Sequence, residues 1–130
     1  MKTKVSFLIC SKNIDGIPSI AIDKVDEHFY IPTFEITEEN VNIDAFICEK
    51  FNFLTGGNAS YKKNIGDTNI YICGTIVDGD YFSIVFGCYI PRIFEHKNIH
   101  WESMSILVEE DFFDEEYKEQ IISCFNYFSR

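Results

Sequence analysis

The chain has 130 residues, 46% of them hydrophobic and 25% charged, which suits one globular domain over residues 1–130 and excludes a disordered chain. Its net charge of -10 argues against nonspecific nucleic-acid binding, because an acidic surface repels phosphate backbones. No stretch approaches the roughly 20 apolar residues of a membrane span, so no membrane partner is expected. Five cysteines without a C-x-x-C pair predict free thiols and a cytoplasmic location.

Three strands are predicted at the start of the chain. Lys4–Cys10 alternates between apolar and polar residues and forms the first strand. The turn signal Asn13–Gly16 leads to a second strand over Pro18–Ile22. A short third strand spans His28–Ile31 and is ended by Pro32.

A helix is predicted next, over residues 38–54. Thr37 is the predicted N-cap, and Gly56 is the residue that ends the helix. Apolar residues at helical spacing predict the face that packs on the sheet. They are Ile43, Phe46, Ile47, Phe51 and Leu54.

The second half of the chain predicts a long hairpin, a strand and a helix. Thr68–Val77 and Tyr81–Ile90 flank an Asp-Gly-Asp turn, and their nearly continuous apolar character predicts strands covered on both faces. A polar loop over residues 91–100 precedes a strand over Trp101–Val108. Asp114 is the predicted cap of the last helix, whose inward residues are Tyr117, Ile121, Cys124, Phe125 and Phe128. The order β-β-β-α-β-β-β-α predicts an α/β (α+β) fold with a central sheet and a helix on each side.

This order resembles the Nudix (MutT-like) superfamily over nearly the whole chain. The residues Phe29-Tyr30-Ile31-Pro32 resemble the x-W-x-L-P-G-G segment that opens the family's signature box. The Asp-Gly turn after the first strand resembles the family's first hairpin, and Glu95–His100 followed by Trp101 resembles a late segment with a Glu and a Trp. The resemblance implies a Nudix-like α/β/α sandwich whose central sheet is mixed.

The family's box reads G-x5-E-x7-R-E-U-x-E-E-x-G-U, where U is a bulky aliphatic residue. Its glutamates bind Mg²⁺ or Mn²⁺, which neutralises a pyrophosphate and activates water. When Pro32 sets the alignment, Glu49 keeps one glutamate of the box, but Asn52 and Phe53 replace the metal-binding pair. The box is therefore degenerate in this alignment.

A second alignment is set by Gly56. Glu49 then replaces the arginine, Lys50 replaces the first glutamate, and Phe53 and Leu54 replace the pair. Hydrocarbon side chains cannot bind a hard cation, and one carboxylate holds a divalent ion weakly. Both alignments predict that the usual metal site is lost.

The resemblance implies a set of candidate site residues. The ligand-binding candidates are Phe34, Glu35, Lys62 and Trp101, of which Phe34 and Trp101 would flank the substrate cleft. If the protein is a hydrolase, the resemblance implies Glu49 as its catalytic residue and Glu39, Glu49 and Glu102 as its metal ligands. Lys50 and Lys63 are further candidates for holding a phosphate. Helix-dipole complementarity and solvent exposure equally explain most of these charges, and His96 and His100 fit a solvated loop better than a zinc site.

The favoured hypothesis is a non-catalytic, regulatory or binding module whose partner is a nucleotide-like or other phosphorylated small molecule, or a protein. It expects no cofactor. The first alternative is a divergent pyrophosphohydrolase of nucleoside-diphosphate compounds that depends on Mg²⁺ or Mn²⁺. The second is an acidic protein-interaction module, and a homodimer is compatible with each hypothesis.

Overall fold

The computed structural model of this protein describes residues 2–25, 28–37, 42–57, 69–90, 93–105 and 115–128. The strands and helices within these ranges are β1 Lys2–Lys12, β2 Pro18–Val25, β3 His28–Tyr30, β4 Thr33–Ile36, α1 Ile43–Thr55, β5 Asn69–Asp78, β6 Tyr81–Tyr89, β7 His100–Ser103 and α2 Glu115–Phe128. Neither α1 nor α2 combines the length and the apolar character needed to cross a membrane.

Strand β1 lies at the centre of a mixed sheet. One of its edges pairs in parallel with β6, from Lys2 opposite Tyr81 to Cys10 opposite Tyr89. The other edge is divided between two antiparallel neighbours, β4 along residues 3–6 and β2 along residues 9–12. Strand β5 pairs with β6, whereas β3 and β7 both pair with β2. The mixed sheet implied by the resemblance is therefore confirmed.

Alternation along β1 places its side chains in two apolar layers. The first layer contains Val5, Phe7 and Ile9 and packs against Ile47, Phe51 and Leu54 of α1. The second contains Leu8 and Cys10 and packs against Ile121 and Cys124 of α2. Burying one such large side chain contributes about 1.5–3 kcal/mol. The prediction of a helix on each side of the sheet is confirmed, as is the inward position of Ile121 and Cys124.

Helix α1 begins later than predicted. Its N-cap is Asn42, whose side-chain oxygen accepts a hydrogen bond from the backbone N–H of Ala45 at 3.1 Å. The prediction of Thr37 as the cap is wrong, because Thr37 directly follows a strand that the sequence analysis did not include. Asparagine and threonine cap helices almost equally well, so composition did not distinguish the two positions. Ile43, predicted to pack inward, is 41% exposed in the first turn.

The strand missing from the prediction is β4, which consists of four residues and pairs with the first half of β1. This pairing joins residues about 30 positions apart in the chain, and a local sequence pattern does not predict contacts at that separation. Strand β7 was predicted over residues 101–108; the structure shows it at His100–Ser103, and residues 106–108 lie outside the described ranges. The hairpin of β5 and β6 is confirmed, with Gly79 at φ 56° in its turn.

Candidate functional site

The caps of α1 fix where the helix begins and ends, and its buried residues show which side faces the sheet. Gly56 ends the helix in the left-handed conformation, at φ 60° and ψ 25°, and its N–H donates to the carbonyl of Asn52 at 2.8 Å. Ile47, Phe51 and Leu54 are buried at 2%, 0% and 3% exposure and point toward the sheet. Residues 46, 50 and 53 therefore lie on a neighbouring stripe of the helix, since residues three and four positions apart share a side.

Lys50 lies in the middle of this stripe. Its Nζ is 5.4 Å from the ring centroid of Phe46 and 5.4 Å from that of Phe34 on β4. Both distances fall within the range of a cation–π contact. Among the residues that the structure describes, its nearest carboxylate oxygen is Oε1 of Glu49, at 3.9 Å on a side chain that is 73% exposed. Two rings therefore hold the ammonium group, and solvent screens its pairing with Glu49.

Phe53 completes the stripe and is 54% exposed. Its ring meets the ring of Phe34 edge to face, with the two centroids 6.1 Å apart. Phe34 in turn contacts buried Phe7 of β1 at 6.0 Å. We call the group formed by Phe34, Phe46, Lys50 and Phe53 the Lys50 site; it is a surface that combines one cation with aromatic rings.

Of the predicted site residues, Phe34 belongs to this group, whereas Glu35 does not. Phe34 is opposite Val5 in the layer of α1, and Glu35 is opposite Lys4, so alternation directs Glu35 to the other face of the sheet. There its Oε1 lies 3.8 Å from Nζ of Lys2. Glu49 is on α1 but points to solvent. Lys62 and Glu39 lie outside the described residues.

Trp101 and Glu102 are adjacent on β7 and face opposite layers. Trp101 packs in the layer of α1, and its Nε1–H donates to the carbonyl of Phe94 at 2.8 Å. Glu102 is bound instead to His100, with Oε1 and Nε2 2.8 Å apart. The His100 ring stacks at 6.1 Å on Phe29, which packs in the layer of α2. The sheet therefore separates Glu102 from α1 and from Glu49.

The loop of residues 93–99 closes the C-terminal end of α1. Asn98 Nδ2 donates to the carbonyl of Phe53 at 2.9 Å, and the N–H of Asn98 donates to Nδ1 of His96 at 3.3 Å. The imidazole of His96 lies directly over Gly56, where a Cβ would overlap it. Beside this loop is an open groove of about 610 Å³. Its lining residues are Ile93, Glu95, His96, Lys97, Ile99, His100 and Trp101.

Within the described ranges, no group of three or more His, Cys, Asp or Glu side chains is arranged to hold a metal ion. The last two turns of α1 carry an ammonium group at Lys50, an exposed ring at Phe53 and a buried isobutyl group at Leu54. Mg²⁺ and Mn²⁺ require oxygen ligands. These three side chains do not fit the divalent ion that the resemblance implies.

The thiols near the core are structural. Cys10, Cys88 and Cys124 are buried, and the thiols of Cys10 and Cys124 lie 3.3 Å apart. Cys48 on α1 is half-buried and accepts a weak contact from Asn52 Nδ2 at 3.7 Å. Burial raises the pKa of the Cys88 thiol far above its usual range, and the neighbouring Cys124 adds to the shift. A thiol held neutral in this way is not a nucleophile.

Sequence reasoning did not place Phe46 or Phe53 beside Lys50. Phe46 was assigned to the packing face, where it does pack against the layer of α1. Phe53 was noted only as a replacement within the box. The available signal was the spacing of Phe46, Lys50 and Phe53 at i, i+4 and i+7, which places them on one stripe. Asn98 was missed because its contact with α1 spans 45 residues.

No protein-family model and no curated protein matches this sequence. Solved structures do match its fold. A chain of the complex between the C-terminal domain of mouse MUTYH and human PCNA has a TM-score of 0.66 at 6% identity, covering 99% of this chain and 90% of that chain. A Nudix-family hydrolase from Clostridium perfringens has a TM-score of 0.59 at 12% identity, covering 97% of each chain.

The Nudix domain of Shewanella oneidensis NrtR, solved with ADP ribose, has a TM-score of 0.61 at 11% identity, covering 91% of this chain and 84% of that chain. Identities this low establish the fold and leave the activity open. The mixed sheet between α1 and α2, together with these likenesses, shows that this protein has a Nudix-like fold.

Proposed function

We propose that this protein is a Nudix-like domain that binds a nucleotide or another phosphorylated small molecule and does not hydrolyse it. The observation that carries the proposal is the chemistry of the last two turns of α1. Within these turns, the alignment set by Gly56 places Lys50, Phe53 and Leu54, which carry a cation and two hydrocarbon groups, at the positions where a magnesium-dependent enzyme of this fold needs carboxylates.

The cap of α1 supports this choice of alignment. Gly56 ends the helix in the left-handed conformation, which is the position of the glycine that closes the family's box. In this alignment Lys50 replaces the first glutamate, and Phe53 and Leu54 replace the pair. Leu54 is only 3% exposed, so its side chain belongs to the core and does not face a ligand.

The contacts of the other predicted carboxylates also support a non-catalytic role. Glu49 is 73% exposed at its side chain, and a single exposed carboxylate leaves a divalent ion mostly in water. Glu102 is bound to His100 on the other face of the sheet. The divergent hydrolase therefore lacks a set of convergent ligands among the described residues.

Two comparisons support the class of partner. The NrtR Nudix domain was solved with ADP ribose, which is a nucleotide-like molecule, and the MUTYH domain was solved in complex with a protein. The partly buried cation and the exposed Phe53 ring of the Lys50 site suit the first class better, because a phosphate and a base supply a complementary charge and a flat surface. A nucleotide-like small molecule is therefore our proposed ligand, and the free thiols of Cys10, Cys48 and Cys88 agree with a reducing, cytoplasmic setting.

The test combines turnover with binding. Purified protein is incubated with Mg²⁺ or Mn²⁺ and with ADP-ribose, diadenosine tetraphosphate or a nucleoside triphosphate, and the products are separated by anion-exchange chromatography. We expect no turnover above the protein-free rate, together with a rise in melting temperature for at least one compound. Turnover that is lost in Glu49→Gln would establish the hydrolase alternative. A melting temperature unchanged by every compound would contradict a small-molecule ligand.

A further inference from the structure

We infer that the ammonium group of Lys50 performs the charge-neutralising role of the missing metal, so that this protein holds an anionic ligand without a divalent ion. The inference rests on the proposed binding function and specifies its chemistry. The ligand class is an organic phosphate attached to a flat aromatic ring.

Two aromatic rings position Lys50. Its Nζ is 5.4 Å from each of two ring centroids, those of Phe34 and Phe46, and its side chain is 29% exposed. Cation–π contacts attract the ammonium group through its charge. Unlike hydrogen bonds, they do not require each N–H group to point at an acceptor atom. The rings therefore limit the movement of the ammonium group and leave its donors available.

The N–H groups of Lys50 can donate a hydrogen bond to a ligand. Glu49 Oε1, at 3.9 Å, is beyond hydrogen-bond distance, and Nζ donates no hydrogen bond within the part of the chain that the structure describes. Lys50 is also the only Lys or Arg in the sequence of α1. A phosphate oxygen would accept a charge-assisted hydrogen bond here, which is roughly twice as strong as a neutral one.

The ring of Phe53 lies beside the cation. Phe53 is 54% exposed, lies three residues after Lys50 on the same stripe, and is braced edge to face by Phe34 at 6.1 Å. An exposed and braced ring stacks readily on a nucleobase or a similar flat group. The cation and the ring are adjacent, so one small molecule that carries both an anion and an aromatic group can engage both.

The side chains around Lys50 do not suit a divalent ion that would bridge the protein and the phosphate. A divalent ion beside Lys50 would meet a like charge and two hydrocarbon rings, with Glu49 as the nearest described carboxylate. Binding that depends on Mg²⁺ is therefore not expected. A chelator that disables a metal-dependent relative should leave this protein's affinity unchanged.

The experiment measures binding by isothermal titration with ADP, ADP-ribose and pyrophosphate as probes, in EDTA and in Mg²⁺. We expect the affinities in EDTA to equal those in Mg²⁺ within about twofold. Lys50→Met should weaken the affinities about tenfold or more, because it removes one charge-assisted hydrogen bond. Lys50→Arg should retain most of the affinity, because it keeps the charge. Phe53→Ala should weaken ADP about tenfold but leave pyrophosphate unchanged, because only ADP has a base to stack.

Lys12→Met is the matched control, because it removes an exposed lysine at the distal end of β1. Circular dichroism and melting temperature establish that each variant is folded. If a probe binds but Lys50→Met binds it equally well, or if EDTA abolishes binding, the inference is overturned while the binding function stands. If none of the probes binds the unmodified protein, the proposed function fails and the inference fails with it.

Discussion

The side-chain amide of Asn98 donates a hydrogen bond to the backbone carbonyl of Phe53 at 2.9 Å. The last carbonyls of a helix have no partner within the helix, so this bond satisfies one of them from a distant loop. It also joins residues 93–99 to the turn of α1 that carries the exposed ring of Phe53. The loop and the Lys50 site are therefore mechanically connected.

The first prediction concerns that bond. Asn98→Ala should lower the free energy of unfolding by about 1 kcal/mol, because the carbonyl of Phe53 loses its donor. Asn52→Ala is the control, since the exposed amide of Asn52 makes only a weak contact with Cys48. Urea unfolding monitored by Trp101 fluorescence measures both. Equal destabilisation by the two variants would show that the bond to Phe53 contributes nothing.

The second prediction concerns the helix C-terminus. Gly56→Ala should destabilise the protein by more than about 2 kcal/mol, because it adds left-handed backbone strain to an overlap with His96. Gly57→Ala, at φ 83° with open space around it, should cost only the strain of about 1 kcal/mol. The difference between the two in urea unfolding isolates the overlap. The double variant Gly56→Ala/His96→Ala should recover that difference, and a failure to recover it would contradict the role of His96.

The third prediction compares two phenylalanines two positions apart on α1. Phe51→Ala should lower the free energy of unfolding by about 3–5 kcal/mol, because Phe51 is completely buried and its loss leaves a cavity. Phe53→Ala should cost less than about 1 kcal/mol, since its ring is 54% exposed. Melting temperature and urea midpoint measure both changes. A large loss in Phe53→Ala would place Phe53 in the core and remove it from the Lys50 site.

The fourth prediction concerns pH. Burial raises the pKa of Cys88 in the folded protein above its ordinary value of 9.0, so the unfolded chain releases this proton first as the pH rises. The contribution of the neutral thiol to stability is therefore complete below about pH 9 and declines above it, by up to about 1.4 kcal/mol per pH unit. The free energy of unfolding at a series of alkaline pH values gives the slope.

Cys88→Ala should reduce that alkaline slope by up to one proton, although it lowers stability at every pH by leaving a cavity. Val85→Ala is the matched control, because it truncates a buried side chain on the same strand and removes no titrating group. Its slope should equal that of the unmodified protein. Identical slopes in both variants would show that Cys88 does not contribute to the alkaline loss of stability.

Several elements were predictable because their signals are local. Gly56 ends α1 as predicted, since few other residues adopt the left-handed conformation readily. The turn at Gly79 and the inward positions of Ile121 and Cys124 were also correct, since turn chemistry and helical periodicity act over a few residues. The start of α1 was wrong because Thr37 and Asn42 offer the same capping chemistry.

The candidate site was predictable only in part. Phe34 and Trp101 both lie in the layer of α1, and their place beside a ligand cleft stays a prediction. Glu35 and Glu102 face the other layer, which depends on the registers of β4 with β1 and of β7 with β2. A shift of one residue in either pairing would reverse these directions. The sequence contains no local record of those registers.

The sequence alone determined the type of most elements and the absence of paired glutamates from the helix that resembles the Nudix box, because both depend on residue identity and short-range spacing. Only the tertiary structure decided which distant residues reach Lys50 and the C-terminal end of α1. Phe34 comes to Lys50 from β4, whereas Asn98 and His96 contact Phe53 and Gly56 from a loop at least 40 residues away along the chain. Such contacts form when distant apolar surfaces are buried together, and the chain order of the residues does not specify them.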